Sequence, residues 1–175
     1  MQEYSFTLKF NFNDAQTDPN SYIEELYAGG CDDALIGVGK QGSIALDFIR
    51  EAPSAFEAIS VAMANVKKVI PTAILIEASP DFVGLTDIAE IIGCTRQNVR
   101  NIILTNQPRS PLPVYEGTPS IWHLSEVLTW LKEDKTYIID ESLLEISGIN
   151  MNLNIARNWR NIEPTLQENI KALVA

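Results

Sequence analysis

The chain has 175 residues, a hydrophobic fraction of 46% and a mean hydropathy near zero, which is typical of a soluble globular protein with one domain or two small ones. No apolar run approaches the length of a membrane-spanning helix, and the polar start does not resemble a signal peptide. The two cysteines, Cys31 and Cys94, lie far apart without neighbouring metal ligands. We therefore expect no disulfide framework, no structural metal site, no membrane association and a cytoplasmic location.

The net charge is −10, and its distribution along the chain is uneven. Residues 1–80 carry 11 acidic and 5 basic side chains, whereas the segment between Glu90 and Glu116 contains three arginines and no acid. A DNA-binding surface in this segment would be locally basic on an acidic protein. Such a surface predicts modest non-specific affinity and a shallow salt dependence, because few phosphates can be neutralised.

The N-terminal segment predicts a strand followed by a short helix. Residues 4–12 alternate strictly between apolar and polar side chains, which indicates a half-buried strand with Phe6, Leu8, Phe10 and Phe12 on one face. Asp18 or Asn20 is suited to cap a helix over residues 21–28. We expect that helix to bury four side chains: Tyr22, Ile23, Leu26 and Tyr27.

Two strands, a helix and a further strand are predicted next. Residues 34–38 and 43–49 indicate strands joined by the turn GKQG, and Pro53 marks the start of a helix that reaches Val69. Its predicted apolar stripe consists of Phe56, Ile59, Met63, Val66, Val69 and Ile70. Residues 72–78 follow Pro71 as a buried strand. The order βαββαβ predicts an α+β fold with a ferredoxin-like domain over residues 1–80.

Residues 84–103 predict two short helices joined by a tight turn. Thr86 is expected to cap the first helix, and Gly93 to end it. Thr95 is expected to cap the second helix, in which Val99 and Ile103 fall on the buried side. The expected apolar set also includes Ile88, Ala89, Ile91, Ile92 and Ile102, with the small Cys94 buried at the turn. This layout is typical of a helix-turn-helix, although an ordinary helical hairpin with a polar outer face would share it.

The outer face of the second helix carries the side chains that pair with base edges and phosphates. Asn and Gln suit adenine, Arg suits guanine, and Arg or Thr also binds phosphates. The predicted DNA-binding residues are Thr95, Arg96, Gln97, Asn98, Arg100 and Asn101, with Arg109 on a wing. The expected partner is double-stranded DNA.

A wing and a third helix are predicted after the helix-turn-helix. Three prolines between 108 and 113 favour an extended path. Residues 114–115 and 120–122 are expected to pair as a short hairpin, and a helix is expected from Leu124. That helix has Val127, Leu128, Trp130 and Leu131 available for burial. Residues 81–135 therefore predict a winged helix-turn-helix domain.

The segment from Leu85 to Trp130 resembles the small winged helix-turn-helix regulators of the AlpA, excisionase and MerR-like group. The resemblance rests on Pro111-Leu112-Pro113, Trp122, Ser125-Glu126-Val127 and Trp130-Leu131. With the N-terminal unit included, the chain is similar to uncharacterised bacterial helix-turn-helix proteins in which the sequence DREAPS precedes a helix. Ile49–Ser54, with the sequence IREAPS, stands in the matching place here. The resemblance covers about residues 4–132 and implies DNA binding, without indicating which promoter or element is bound.

Residues 136–175 predict a helical tail in three parts. A first helix is expected to end at Gly148, a second to span 151–161 and bury Leu153, Ile155 and Trp159, and a third to follow Pro164. Readers of this kind commonly form dimers to bind two half-sites. The tail is therefore the expected homodimer surface, with packing on its own domain as the alternative.

The sequence gives no indication of an enzyme or a cofactor. Gly37–Ser43 lacks the spacing and the following helix of a phosphate-binding loop, and His123 has no neighbouring cysteine or carboxylate cluster. We expect His123 to have a structural or phosphate-contacting role. The leading hypothesis is a bacterial or phage-type transcriptional regulator. The alternatives are a protein–protein interaction module, antitoxin-like or adaptor, acting through the acidic N-terminal domain, and a small-molecule sensor for which no ligand signature is visible.

Overall fold

A computed structural model of the protein describes residues 1–134 and 137–174 and has an α+β fold. A four-stranded antiparallel sheet occupies its N-terminal part. The strands are β1 (Gln2–Asn11), β2 (Ala34–Gly37), β3 (Ser43–Ala52) and β4 (Ile74–Ser79), arranged in the order β2-β3-β1-β4. β1 and β3 pair along their whole lengths, from Gln2 opposite Ala52 to Asn11 opposite Ser43.

The sheet is half-buried because its central strands alternate. Phe6, Leu8 and Phe10 of β1 and the following Phe12 face the core, as predicted, and Tyr4 joins them. Leu46 and Phe48 of β3 lie on the same face, and the rings of Phe6 and Phe48 stack with centroids 5.1 Å apart. β1 begins two residues before its predicted start and ends one residue before its predicted end, and β3 continues three residues beyond its predicted end, since pairing extends to Gln2 and Ala52.

A short helix lies between β1 and β2. A 3-10 turn (Pro19–Tyr22) leads into α1 (Ile23–Ala28), and the carboxylate of Asp18 accepts a hydrogen bond from the Asn20 N–H at 3.0 Å, as a cap. Leu26 is fully buried, but Tyr27 is 40% exposed, so its predicted burial was wrong. Adjacent helical residues point about 100° apart, and a helix this short buries one narrow face.

The second helix of this unit, α2 (Ala55–Val69), packs on the sheet through small side chains. Ser54 caps it by accepting a hydrogen bond from the Glu57 N–H at 3.2 Å. The predicted stripe was wrong at Phe56, which is 63% exposed. The buried face consists of Ala55, Ala58, Ile59, Ala62 and Val66. Alanines on this face allow the helix to approach the sheet closely, and the bulky Phe56 lies outside the contact.

A second apolar core is formed by residues 82–139. Its elements are β5 (Phe82–Val83), α3 (Leu85–Ile92), α4 (Arg96–Thr105), β6 (Trp122–His123) and α5 (Leu124–Asp134). α5 begins at the predicted Leu124 and buries the four predicted side chains. β5 and β6 form a two-stranded antiparallel sheet that the sequence did not predict.

The tail contains two helices where three were predicted. α6 (Glu141–Trp159) runs without interruption through Gly148, and α7 (Pro164–Val174) follows. Asp140 caps α6 by accepting hydrogen bonds from the side chain and the N–H of Ser142, and these bonds lower the pKa of Asp140. The expected break at Gly148 and the expected burial of Ile155, which is 47% exposed, were therefore wrong. Tertiary contacts of this long helix outweigh the low helix propensity of one glycine.

Gly148 gives a direct test of this continuous helix. A Cβ built at Gly148 would meet no atom within 4 Å, so the fold does not require glycine there. Gly148→Ala is expected to raise the free energy of unfolding by about 0.5–1 kcal/mol, through higher helix propensity and a less flexible unfolded chain. Urea denaturation followed by circular dichroism measures the change, and a destabilised variant would contradict an uninterrupted α6.

α6 packs on both apolar cores. Ile146 belongs to the core beneath the sheet, Leu144 packs against the second core, and Leu143 contacts both. The carboxylate of Glu145 accepts hydrogen bonds from the Tyr4 hydroxyl at 2.5 Å and from the Ala55 N–H at 2.9 Å. The hydrogen bond to Glu145, together with burial, raises the pKa of Tyr4 to about 12. The first part of the tail thus packs on its own chain, which was the alternative interpretation.

Buried polar groups fix the connection between β4 and β5. Asn154 pairs with both backbone groups of Ala78, its Oδ1 accepting from the N–H at 2.9 Å and its Nδ2 donating to the carbonyl at 2.8 Å. The same Nδ2 donates to Asp81 Oδ2 at 2.8 Å, and Asn150 Nδ2 donates to the Pro80 carbonyl at 3.1 Å. The amide of Asn154 therefore acts as a strand partner for the β4 edge.

The predicted boundary between the first two domains, at residue 80, lies in the connection between β4 and β5. The other boundary, between residues 135 and 136, lies outside the described residues. None of the helices that the structure describes is both long and apolar enough to cross a membrane.

Candidate nucleic-acid interface

The turn between α3 and α4 adopts the conformation that its glycine favours. Gly93 has φ 71° and ψ 38°, in the left-handed region, and the Cys94 N–H donates to the Ala89 carbonyl at 2.9 Å. The predicted cap at Thr86 was wrong, because Gly84 is the N-cap and Thr86 lies inside α3. The Asp87 carboxylate accepts from the Gly84 N–H at 2.7 Å and closes this end of the helix.

Replacing Gly93 tests the left-handed turn. An added Cβ would have open space, so Gly93→Ala is expected to lose only the backbone preference, about 1–2 kcal/mol of unfolding free energy. Gly93→Asn is expected to lose less, since asparagine tolerates this conformation. Thermal unfolding of both variants measures the difference, and equal losses would count against a left-handed residue here.

α4 begins at the predicted cap. Thr95 has extended backbone angles, and its Oγ1 accepts a hydrogen bond from the Asn98 N–H at 3.2 Å. Val99 and Ile103 are buried against Ile88 and Ala89 of α3, as the spacing predicted. The side chain of Thr95 therefore caps α4 and fixes the orientation of its first turn.

The outer face of α4 is exposed and free of acids. Gln97 Nε2 donates to Asn101 Oδ1 at 3.0 Å, one turn along the helix. Within residues 1–134 and 137–174, the ion pairs do not include Arg96 or Arg100. The predicted residues on this exposed face are Arg96, Gln97, Asn98, Arg100 and Asn101.

A cleft of about 430 Å³ separates α4 from the loop at residues 117–121. Arg96 and Arg100 line one wall, and Thr118 and Ser120 line the other. Guanidinium and hydroxyl groups in this arrangement suit a phosphate backbone. The carboxylate of Asp87 also lines the cleft and reduces its positive charge. Sequence reasoning did not single out the loop hydroxyls, because nothing local indicates that the loop folds towards α4.

The predicted hairpin is reduced to one bridge between Tyr115 and Ile121. Their backbone groups exchange two hydrogen bonds, at 3.3 and 3.0 Å. Trp122 was expected to pair within this hairpin, and it pairs with Val83 instead, as part of the β5–β6 sheet. The Trp122 indole also donates to the Pro111 carbonyl at 3.2 Å, which holds the proline-rich segment against the core.

Arg109 does not join the other predicted residues. It is exposed, follows the end of α4, and lines a separate groove of about 890 Å³ between α5 and α6. Glu126, Glu133 and Asp134 line the same groove, so its charge is predominantly acidic. An acidic groove repels phosphates, and this position is unfavourable for a DNA contact.

His123 lies behind the interface. Its Nδ1 is 2.6 Å from Asp81 Oδ1, its ring packs on Phe82 with centroids 5.1 Å apart, and 8% of the residue is exposed. Asp81 is 1% exposed and also accepts from Asn154. The structural role expected for His123 agrees with this burial, and the phosphate-contacting alternative does not.

The described part of the chain contains no cluster of three or more His, Cys, Asp or Glu side chains that could hold a metal ion. Comparison of the chain with protein-family models, with curated proteins and with solved structures finds no match.

Proposed function

We propose that this chain is a sequence-specific double-stranded DNA-binding protein, a bacterial or phage-type transcriptional regulator. The observation that carries the proposal is the outer face of α4, where five exposed amide and guanidinium side chains occur without an acid. Side chains of these types read base edges in the major groove, which has the width of a helix. Thr95 orients the start of this helix, and Gln97, Asn98 and Asn101 are the proposed base readers.

The arrangement around α4 supports a winged helix-turn-helix. α3 packs across the buried side of α4, and the bridged loop after Tyr115 lies next to Arg96 and Arg100. We assign Arg96 and Arg100 to the phosphate backbone at this cleft. The loop at residues 117–121 is the proposed wing, and its hydroxyl groups would contact the backbone or the minor groove.

The N-terminal unit supports a ferredoxin-like domain. Its elements follow the order βαββαβ, and both helices pack on one face of the antiparallel sheet. Such domains host many functions, so this part contributes little to the functional proposal. The net negative charge of this unit would weaken non-specific binding to DNA.

We propose a homodimer that reads two half-sites. α7 (Pro164–Val174) has no buried side chain in the single chain, and Leu166 and Leu173 are 49% and 84% exposed. A surface helix with exposed leucines gains stability by packing on a second copy. Half-sites one helical turn apart are expected for such a dimer.

The proposal is tested by fluorescence anisotropy with DNA from upstream of the gene and with scrambled DNA, across a salt series. We expect a preference of about 10³-fold or more for the upstream DNA, the low end for specific binders. The salt slope is expected to be shallow, because the interface offers few basic side chains. Equal weak binding of both duplexes would refute specific autoregulation.

An exposed apolar surface favours a protein partner as the second candidate function. Leu35 and Ile49 are 71% and 59% exposed on the sheet face away from the helices. Two such side chains on an acidic unit suit a partner with an apolar and basic surface. Under this alternative, a change at Leu35 and Ile49 would abolish function while a change at Arg96 and Arg100 would leave it intact.

A further inference from the structure

A small cavity lies where α2, β4 and α6 meet. Its volume is about 260 Å³. Three basic side chains line it, Lys67 from α2 and Arg157 and Arg160 from the end of α6, and none of the described carboxylates does. Apolar side chains form the rest of its wall, among them Met63, Ile74 and Leu153. A cavity with a cationic side and an apolar side is suited to an amphipathic anion.

The positive charge in this cavity is not neutralised. In the part of the chain that the structure describes, the ion pairs include none of Lys67, Arg157 and Arg160. Lys67 donates to the Ala73 carbonyl, and Arg157 donates to the Ile76 carbonyl and to the Asn158 amide oxygen. All these acceptors are uncharged. Three uncompensated cations in one place are unexpected in a chain with net charge −10.

One guanidinium nitrogen of Arg157 is an unsatisfied hydrogen-bond donor. Its Nε is buried and has no hydrogen-bond partner among the described residues. Because an atom without accessible surface cannot contact a ligand, Arg157 contributes its positive charge to the cavity, and the exposed Lys67 and Arg160 supply the accessible donors.

The ends of two helices offer a competing explanation for the charges. Lys67 lies in the last turn of α2, and Arg160 follows the last residue of α6. Positive charge is favourable at both ends. This explanation also covers Arg157, which lies in the last turn of α6, but it does not account for the apolar wall between the three basic side chains.

We propose that the cavity is a binding site for a short aliphatic carboxylate. The carboxylate group pairs with Lys67 and Arg160, beside the positive charge of Arg157, and the chain of about five carbons packs on Met63 and Leu153. The volume lies below the range of about 300–1,000 Å³ that holds drug-sized ligands, which favours a small ligand. Because both α2 and α6 line the site, the bound carboxylate would contact both helices. This inference is independent of DNA binding.

The test is a titration of the full chain with hexanoate, acetate and hexylammonium, followed by amide chemical shifts in NMR spectra. Hexanoate is expected to saturate and to shift the amides of Met63, Leu153 and Arg157. Acetate lacks four methylene groups and is expected to bind about 30-fold more weakly or worse. Hexylammonium combines a similar alkyl chain with a positively charged head group, and it is expected to cause no saturable shift at these amides. Equal shifts from hexanoate and hexylammonium would overturn the proposal.

Two variants separate the site from the helix-end explanation. Lys67→Gln and Arg160→Gln are each expected to weaken hexanoate binding by about fivefold or more. Lys68→Gln is the matched control, since Lys68 also lies in the last turn of α2 but does not line the cavity. It is expected to leave hexanoate affinity unchanged. Affinity losses of equal size at Lys67 and Lys68, or no loss at Arg160, would overturn the proposal in favour of a general charge effect.

Discussion

Replacing Arg96 and Arg100 together by alanine is expected to weaken duplex DNA binding by about 10²-fold or more and to leave the fold intact. Both side chains are exposed on α4 and line the cleft beside the 117–121 loop. A hydrogen bond to a charged group is worth about 1.5–3 kcal/mol, so losing both phosphate contacts costs roughly 3–6 kcal/mol. Anisotropy measures the affinity, and circular dichroism checks the fold.

The salt dependence of the same variant identifies which atoms the arginines contact. If both bind phosphates, the slope of log affinity against log salt falls by about 2. A matched control with the same change in charge is Lys40→Ala together with Lys68→Ala, two exposed lysines of the N-terminal unit. The control is expected to bind like the parent chain. A loss of the same size in both double variants would mean that overall charge, and not α4, determines binding.

Asn154→Ala is expected to lower the free energy of unfolding by about 3–5 kcal/mol. The change removes three hydrogen bonds and leaves the Ala78 N–H, the Ala78 carbonyl and one Asp81 oxygen without this partner. Each buried group left unpaired costs about 1–3 kcal/mol, and the site is closed to water because Asn154 is 1% exposed. For a chain of this length the melting temperature falls by roughly 10 °C.

Asn152 supplies the control for this substitution, since it is an exposed asparagine two residues away on the same helix. Its side-chain amide donates to the Gly148 carbonyl at 2.8 Å. Asn152→Ala is expected to stay within about 0.5 kcal/mol of the parent chain. Calorimetry compares the two variants. Similar melting temperatures for both would show that the Asn154 network does not hold β4, Asp81 and α6 together.

The features predicted correctly from the sequence are those that local interactions determine. The alternation in β1 and the cap at Thr95 each depend on a few neighbouring residues. The start of α5 at Leu124 is of the same kind. In these places local propensity and burial favour one structure, so a short window of sequence is sufficient.

The features that were missed depend on distant contacts. Phe56 has the correct helical spacing but lies outside the contact, because α2 packs through alanines. Gly148 does not end α6, since Ile149 and Leu153 beyond it pack against the core beneath the sheet. Trp122 pairs with Val83, 39 positions away in the sequence. Pairings of this kind depend on tertiary geometry that a single sequence does not reveal.

The same distinction applies to the candidate interface. The exposed face of α4 follows from its period, so the five predicted side chains on it could be found from the sequence. The position of Arg109 could not, because it depends on the path of a proline-rich segment held by Trp122. The hydroxyls of Thr118 and Ser120 enter the cleft only through the folding of the 117–121 loop.

Selection of duplexes from a random DNA library tests most directly whether α4 reads sequence, because it requires no knowledge of the target. We predict enrichment of one motif with two half-sites about one helical turn apart, bound about 10³-fold more tightly than the starting pool. The Gln97→Ala/Asn98→Ala/Asn101→Ala variant, which lacks the proposed base readers, is expected to enrich no motif. Recovery of unenriched, random duplexes by the parent chain would contradict sequence-specific DNA binding.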